Sequence, residues 1–212
     1  MSLKITEIFY SLQGESRTVG LPTVFVRLTG CPMRCTYCDT AYAFSGGSGM
    51  SIDNIVKEIE SYQTPYITIT GGEPLAQAEV HALMTELCDA NYQVSLETGN
   101  AITIEQVDPR VTIVLDIKTP ASGEEKNNQY SNLQHIKPSD CLKFVICNEA
   151  DYLWSKQKLD ELDFAKGCEV YFSPSAEQLS ATDLADWIVR DRLSVRMQIQ
   201  LHKYLWNNEA GR

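Results

Sequence analysis

The strongest constraint on what this chain can become is a repeating alternation of short β-branched or aromatic runs with amphipathic helical stripes. Candidate strands lie at 4–10, 23–28, 66–70, 93–97, 111–116, 142–147, 169–173 and 196–200. Between several of them apolar residues recur at helical spacing. Ile52, Ile55, Val56 and Ile59 follow the capping residue Ser51, and Val80, Leu83, Met84 and Leu87 form a second stripe. Leu153, Trp154, Leu159 and Leu162 form a third, less regular stripe, and Leu184, Trp187 and Ile188 a fourth after Ser180. Strands that alternate with helices assemble into a mostly parallel sheet, so the chain belongs to the α/β class. A length of 212 residues suits a single domain, 1–212, with the polar stretch 121–140 as an irregular, mobile loop.

The period of two inside the strands says more. Val24, Val26 and Leu28 share one face, and Phe25, Arg27 and Thr29 the other. Ile67 and Ile69 oppose Thr68 and Thr70; Val94 and Leu96 oppose Ser95 and Glu97; Ile113 and Leu115 oppose Thr112 and Asp116. Leu142, Phe144 and Ile146 oppose Lys143, and Met197 and Ile199 oppose Gln198 and Gln200. A sheet covered on both faces reads instead as near-continuous apolar runs. Two arrangements satisfy this pattern. One is a sheet with a solvated face; the other is a curved sheet or partial barrel whose inner face lines a polar cavity, with its site at the C-terminal ends of the strands.

Composition excludes several classes. Hydrophobic residues make up 43% and charged residues 22%, as in ordinary globular proteins. No apolar stretch approaches the ~20 residues of a membrane span, and no basic-then-apolar leader opens the sequence, so a cytoplasmic protein without membrane contact is expected. Eighteen Lys and Arg against twenty-eight Asp and Glu leave a net charge of −10, which argues against a nucleic-acid backbone as partner. A local basic pocket for a small anion is compatible with that balance.

Seven cysteines are present, and three of them, Cys31, Cys35 and Cys38, fall within eight residues. A disulfide framework spreads and pairs its cysteines, whereas thiols gathered on one loop point to metal. The segment Cys31-Pro32-Met33-Arg34-Cys35-Thr36-Tyr37-Cys38 opens a loop, 31–50, just past the strand 23–28. Structural zinc takes four ligands, commonly from two pairs. No second pair exists: Cys88, Cys141, Cys147 and Cys168 are scattered, and His81, His135 and His202 show no ligand spacing. A four-iron cluster held by three thiolates keeps one iron open to a small molecule. A second motif, Thr70-Gly71-Gly72-Glu73-Pro74, follows the strand 66–70. Paired glycines let backbone approach a ligand closely, and they equally suit a plain strand-to-helix turn. The scattered cysteines read as packing residues, and Trp154, Trp187 and Trp206 as core or interface anchors.

The CxxxCx(aromatic)C spacing after a strand, with Gly-Gly-Glu-Pro downstream, is similar to the signature of the radical S-adenosylmethionine (SAM) enzymes. Ser11-Leu12-Gln13-Gly14-Glu15, the run 20–31, Cys38-Asp39-Thr40 and the run 198–203 narrow the resemblance to the family of 7-carboxy-7-deazaguanine synthases, over about 5–203. The resemblance implies an incomplete TIM-like barrel of mostly parallel strands, generally a homodimer. It implies a 4Fe-4S cluster, SAM and Mg²⁺ as cofactors, and an electron donor such as flavodoxin or ferredoxin. The implied reaction is ring contraction of 6-carboxy-5,6,7,8-tetrahydropterin to 7-carboxy-7-deazaguanine with loss of ammonia, in queuosine and other deazapurine biosynthesis.

Carried onto this sequence, the resemblance assigns Cys31, Cys35 and Cys38 to the cluster and Thr40 to Mg²⁺. Tyr37, Asp39 and Gly72 would contact SAM, as would Asp116, Ile117 and Lys118, which stand where the family usually has Ser-Pro-Lys. Ser173 stands where a further contact often lies in a Gln-Pro pair. Leu12, Gln13, Gly14, Arg27, Thr70 and His202 would bind the pterin. Residue chemistry supports several of these: a guanidinium on the polar strand face can pair bidentately with the substrate carboxylate, and a side-chain amide offers both edges to a heterocycle. Mg²⁺ commonly takes only one or two ligands from protein. Two rival readings are a glycyl-radical enzyme activase, which would need a docking surface for a large partner, and a non-enzymatic zinc or electron-transfer protein.

Overall fold

The two-residue period of the strands sorts their side chains into a helix-facing and an inward-facing set. In the computed structural model, which describes residues 1–161, 167–207, 209 and 211, the helix-facing set is the core. Leu162 of the third helical stripe lies outside the described residues. Val24, Val26, Leu28, Ile67, Ile69, Leu96, Leu115, Ile117, Leu142, Phe144, Ile146 and Phe172 are each at most 1% exposed and share one apolar cluster.

Among the described residues one sheet holds nine strands: β1 (Ser2–Leu12), β2 (Pro22–Leu28), β3 (Ser48–Ser51), β4 (Tyr66–Gly71), β5 (Gln93–Thr98), β6 (Thr112–Ile117), β7 (Cys141–Ile146), β8 (Glu169–Pro174) and β9 (Arg196–Met197). Their spatial order is β3-β1-β2-β4-β5-β6-β7-β8-β9. From β2 to β9 every neighbouring pair is parallel, while β1 runs antiparallel to β2 and β3. The helices α1 (Ile52–Glu60), α2 (Val80–Asp89), α3 (Glu149–Glu161) and α4 (Ala181–Asp191) connect strands, and α5 (Leu201–Trp206) follows β9. Ser51 and Ser180 cap α1 and α4 as their positions predict, accepting the N–H groups of Asn54 at 3.3 Å and Thr182 at 3.2 Å, a contribution of ~1 kcal/mol each.

The two flanks of the sheet meet. The N–H of Leu201 donates to the Gly14 carbonyl at 3.0 Å. Gln198 accepts from the Ser16 N–H at 2.9 Å and donates to the Ser16 carbonyl at 3.3 Å. The fold is therefore an incomplete barrel of mostly parallel strands, and the polar strand face is its interior. Val114, Cys141 and Tyr171, all nearly fully buried, form a small apolar cluster on that inner face.

Four expectations change. β3 carries no β-branched residue and gave no strand signal; pairing with β1 holds it. β9 is only two residues long; the Gln198 N–H still donates to the Phe172 carbonyl of β8 at 3.0 Å, and its side chain bonds Ser16. In α3 the buried face is Asp151, Tyr152 and Ser155, and Leu153 is exposed. Tyr152 can enter the core because its hydroxyl donates to the Trp187 carbonyl at 2.9 Å. The segment 121–140, expected to be irregular, contains 3-10 turns including Tyr130–His135. It is tied down by buried Asn132, whose side chain bonds Asn100, the Ile102 carbonyl and the Ile104 N–H.

Candidate active site

The C-terminal ends of the parallel strands open into a cavity of about 570 Å³. The structure brings nearly every sequence-predicted site residue to its wall: Leu12, Gln13, Gly14, Arg27, Cys31, Cys35, Tyr37, Cys38, Asp39, Thr40, Thr70, Gly72, Asp116, Lys118, Ser173 and His202. Ile117 is the exception and a correction. Strand alternation turns Asp116 inward and Ile117 outward, and the Ile117 side chain is fully buried among the helix-facing residues.

One end of the cavity is the cysteine loop. The three thiols are half-buried. Burial pushes the Cys31 thiol up and that of Cys35 up to about 11, so a metal centre must displace protons to bind. Among the described residues no three His, Cys, Asp or Glu side chains gather closely enough to hold one metal ion. The loop is braced from the turn after β6: the Thr36 N–H donates to the Ser122 carbonyl at 3.0 Å, its hydroxyl to the Ala121 carbonyl at 2.8 Å, and the Arg34 N–H to Glu124 at 2.7 Å.

The Gly-Gly-Glu turn lies flat against the same loop. A Cβ on Gly72 would sit 2.1 Å from the Gly30 carbonyl oxygen, and one on Gly71 2.6 Å from that of Leu28. Glu73, fully buried, accepts from the Leu75 N–H at 3.1 Å, the Gly99 N–H at 2.8 Å and the Thr98 hydroxyl at 2.9 Å. The motif thus ties the cysteine loop to the end of β5.

Two polar atoms beside the thiols have no protein partner. The Tyr37 hydroxyl and Asp116 Oδ1 are buried without a hydrogen-bond partner among the described residues, a state that costs ~1–3 kcal/mol per group until something fills it. Lys118 Nζ lies 3.0 Å from Asp116 Oδ2 and 5.7 Å from the centre of the Tyr37 ring. Burial raises the Tyr37 pKa, so the phenol keeps its proton as a donor. Soft thiols next to an unmatched donor, an unmatched acceptor and a cation suit an iron–sulfur cluster with SAM beside it. Asp39 pairs with Lys203 at 2.7 Å; burial pushes its carboxyl up, and Lys203 with Gln200 more than reverses this, leaving its pKa below the usual value. The Ser173 hydroxyl is already spent on the Gln198 carbonyl at 2.9 Å.

The other end is built on β1, β2, β4 and β5. Phe9 and Phe25, partners across the antiparallel ladder, stack with ring centres 4.9 Å apart, and Arg27 lies 5.7 Å from the centre of the Phe9 ring. The Arg27 Nε donates to Glu7 at 2.7 Å, leaving both terminal NH₂ groups without an acceptor among the described residues. Thr70, opposite Arg27 in the parallel register, donates to Glu97 at 3.3 Å. Burial, then the charge of Glu15, raises the pKa of Glu97. The Gln13 amide is engaged inside the barrel by Thr68 at 3.0 Å, Glu97 at 3.4 Å and the Glu15 N–H at 3.1 Å. The His202 ring packs directly on Gly14, where a Cβ would meet its Nδ1 at 2.0 Å. The Thr40 hydroxyl lies 3.7 Å from Cys38 Sγ and offers one oxygen, so Mg²⁺ there would need its other ligands from water and bound molecules.

Sequence reasoning left Glu15, Glu97, Lys143, Phe9 and Phe25 outside the site, and all five line the cavity. The signal for Glu97 and Lys143 was present, since each is a charge on the polar face of an otherwise apolar strand.

A profile described as the radical SAM superfamily matches residues 25–113. A 7-carboxy-7-deazaguanine synthase of Chlorobaculum tepidum is 46% identical over 211 residues, covering 98% of this chain and 96% of that protein. The enzyme of the same name from Koribacter versatilis is 38% identical, covering 98% of this chain and 99% of that protein. Among solved structures, the crystal structure of QueE from Escherichia coli superposes with a TM-score of 0.79 over 95% of each chain at 22% identity, a likeness of fold. Identity of this degree over nearly the whole length, on a barrel with three cysteines at its mouth, makes this chain a member of the 7-carboxy-7-deazaguanine synthase family of radical SAM enzymes.

Proposed function

We propose that the chain converts 6-carboxy-5,6,7,8-tetrahydropterin to 7-carboxy-7-deazaguanine with loss of ammonia, a step of queuosine and related deazapurine biosynthesis. The observation that carries this reading is one cavity at the C-terminal ends of the strands. It joins the cysteine loop and the unmatched Tyr37 and Asp116 atoms to an aromatic wall with a guanidinium beside it.

Cys31, Cys35 and Cys38 would hold the 4Fe-4S cluster, and Tyr37, Asp39, Gly72, Asp116, Lys118 and Ser173 would surround SAM. When bound, the cluster and SAM together supply a 5′-deoxyadenosyl radical able to abstract hydrogen, using an electron from a reductant such as flavodoxin or ferredoxin. The residues of the chain bind and orient. Arg27 presents its terminal NH₂ groups to the substrate carboxylate while Glu7 fixes its Nε end. The Phe9–Phe25 stack gives a flat wall for a planar ring. Thr70, Glu97, His202 and the turn Leu12–Gly14 meet the hydrogen-bonding edges of the pterin. Glu97, its pKa raised by burial and then by the charge of Glu15, presents a carboxyl group to those edges. Thr40 would offer a hydroxyl oxygen to Mg²⁺, and the substrate carboxylate would help to complete that site.

Two further parts of the reading are a homodimer of single-domain chains and a cytoplasmic location. Among the described residues no helix is long and apolar enough to cross a membrane. The test is an anaerobic incubation of reconstituted protein with SAM, reductant, Mg²⁺ and 6-carboxytetrahydropterin, followed by mass spectrometry. Formation of 7-carboxy-7-deazaguanine that depends on every component is the expected result. 5′-Deoxyadenosine without a deazapurine would overturn the substrate assignment, and zinc without sulfide in the purified protein would overturn the cofactor assignment.

A further inference from the structure

Lys143 has no part in the reading above, yet it joins the two ends of the cavity. It stands on the inner face of β7, its side chain 13% exposed, with Nζ 2.5 Å from Glu15 Oε2 and 3.7 Å from Asp116 Oδ2. Glu15 continues to the Gln200 amide at 2.8 Å, which reaches Asp39 at 3.4 Å. Asp116 continues to Lys118 at 3.0 Å and so to the face of Tyr37. Tyr37 and Asp39 sit two apart on the cysteine loop, so this chain of polar groups closes into a ring around the cavity with Lys143 opposite the loop.

We propose that Lys143 is a positioning residue that couples the SAM end of the site to the pterin end. One ammonium is shared between Glu15, in the turn next to the Leu12–Gly14 backbone, and the more distant Asp116, beside the cysteines, which also pairs with Lys118. Displacing either carboxylate changes what the ammonium can offer the other. A purely structural role explains this arrangement poorly, because the desolvation of buried ions offsets most of their attraction. An apolar side chain would fill the same space with no loss to folding if Glu15 and Asp116 were absent. Glu15 requires the cation, because its ion pair among the described residues is with Lys143, whereas Asp116 is also held by Lys118 at 3.0 Å.

The inference rests on the proposed function and can fail separately from it. The experiment is anaerobic calorimetric titration of the cluster-bearing protein with 6-carboxytetrahydropterin, with and without SAM and without reductant, so that no turnover occurs. SAM should tighten pterin binding by about fivefold or more in the unaltered protein, the usual range for coupled sites. In Lys143→Met that factor should fall toward one with iron and sulfide content retained, and Lys143→Arg should restore most of it. Should Lys143→Met lose its cluster, Glu15→Gln reads the same coupling from the other partner. A factor kept within about twofold in the variants, or a factor of one in the unaltered protein, would overturn the inference. An unaltered protein that binds neither molecule would instead overturn the functional reading.

Discussion

Replacing Glu73 by glutamine removes one acceptor oxygen from a carboxylate that serves three donors: the Leu75 N–H, the Gly99 N–H and the Thr98 hydroxyl. Glu73 is 0% exposed, so water cannot substitute. A hydrogen bond to an ionised group contributes ~1.5–3 kcal/mol, and a buried donor left without its acceptor costs ~1–3 kcal/mol. Glutamine keeps one oxygen and turns an amide NH₂ toward a donor, for an expected cost of ~2–3 kcal/mol. Alanine strands all three donors and leaves a void, for ~4–5 kcal/mol. At ~2–4 °C per kcal/mol for a chain of this size, the melting temperature should fall by ~4–12 °C for Glu73→Gln and by ~8–20 °C for Glu73→Ala. Circular dichroism of the anaerobic, cluster-bearing protein at one scan rate reads this directly, with SAM affinity measured alongside at a temperature where both proteins are folded. An unchanged melting temperature with lost SAM binding would refute the reasoning, because Glu73 would then be meeting the cofactor and not bracing the turn.

Gly72→Ala places a methyl 2.1 Å from the Gly30 carbonyl, so the two loops must part; a loss of about 3 kcal/mol and poor iron retention are expected, and a normal melting curve with full iron would contradict this. Arg27→Met breaks a partly exposed pair with Glu7, so stability should change by less than ~1 kcal/mol while the KM for the pterin rises at least about tenfold. Equal loss of iron would make Arg27 structural. Burial lowers the pKa of His202 from 6.5, so the folded chain binds that proton less readily than the unfolded one. The His202 contribution is complete above pH 6.5 and is lost as pH falls through the lowered value. Melting temperatures between about pH 8 and 5.5 should decline less for His202→Gln than for the unaltered chain; parallel curves would refute the assignment.

A polar strand face was legible because Thr70, Glu97, Asp116 and Lys143 stand on the face opposite the apolar residues, a pattern that a sheet buried on both faces does not produce. The pattern alone fitted a solvated face as well as a barrel interior. The antiparallel entry was not legible. β3 is Ser-Gly-Met-Ser, held by the register Ser2 to Ser51 with its partner strand and by no propensity of its own. The face of α3 was misread because Leu153 looks like a core residue and Tyr152 does not, until the Trp187 carbonyl is there to take the hydroxyl. Within the site, spacing identified the cysteines, but Ile117 was grouped with its neighbours although strand alternation alone sends it outward. Glu15 was quoted as part of a motif, and its role depends on Lys143, 128 residues away, which no local pattern reveals.

The barrel is joined along one side by contacts unlike all its others. Neighbouring strands are linked by backbone ladders, but the turn after β1 and the segment after β9 are linked by four separate hydrogen bonds, from Ser16, Gln198, Leu201 and Gln200. At ~0.5–1.5 kcal/mol net apiece, parting them costs ~2–6 kcal/mol, a range in which local opening is populated far more often than global unfolding. Closure of the barrel therefore rests mainly on side chains along this one seam and on backbone ladders everywhere else.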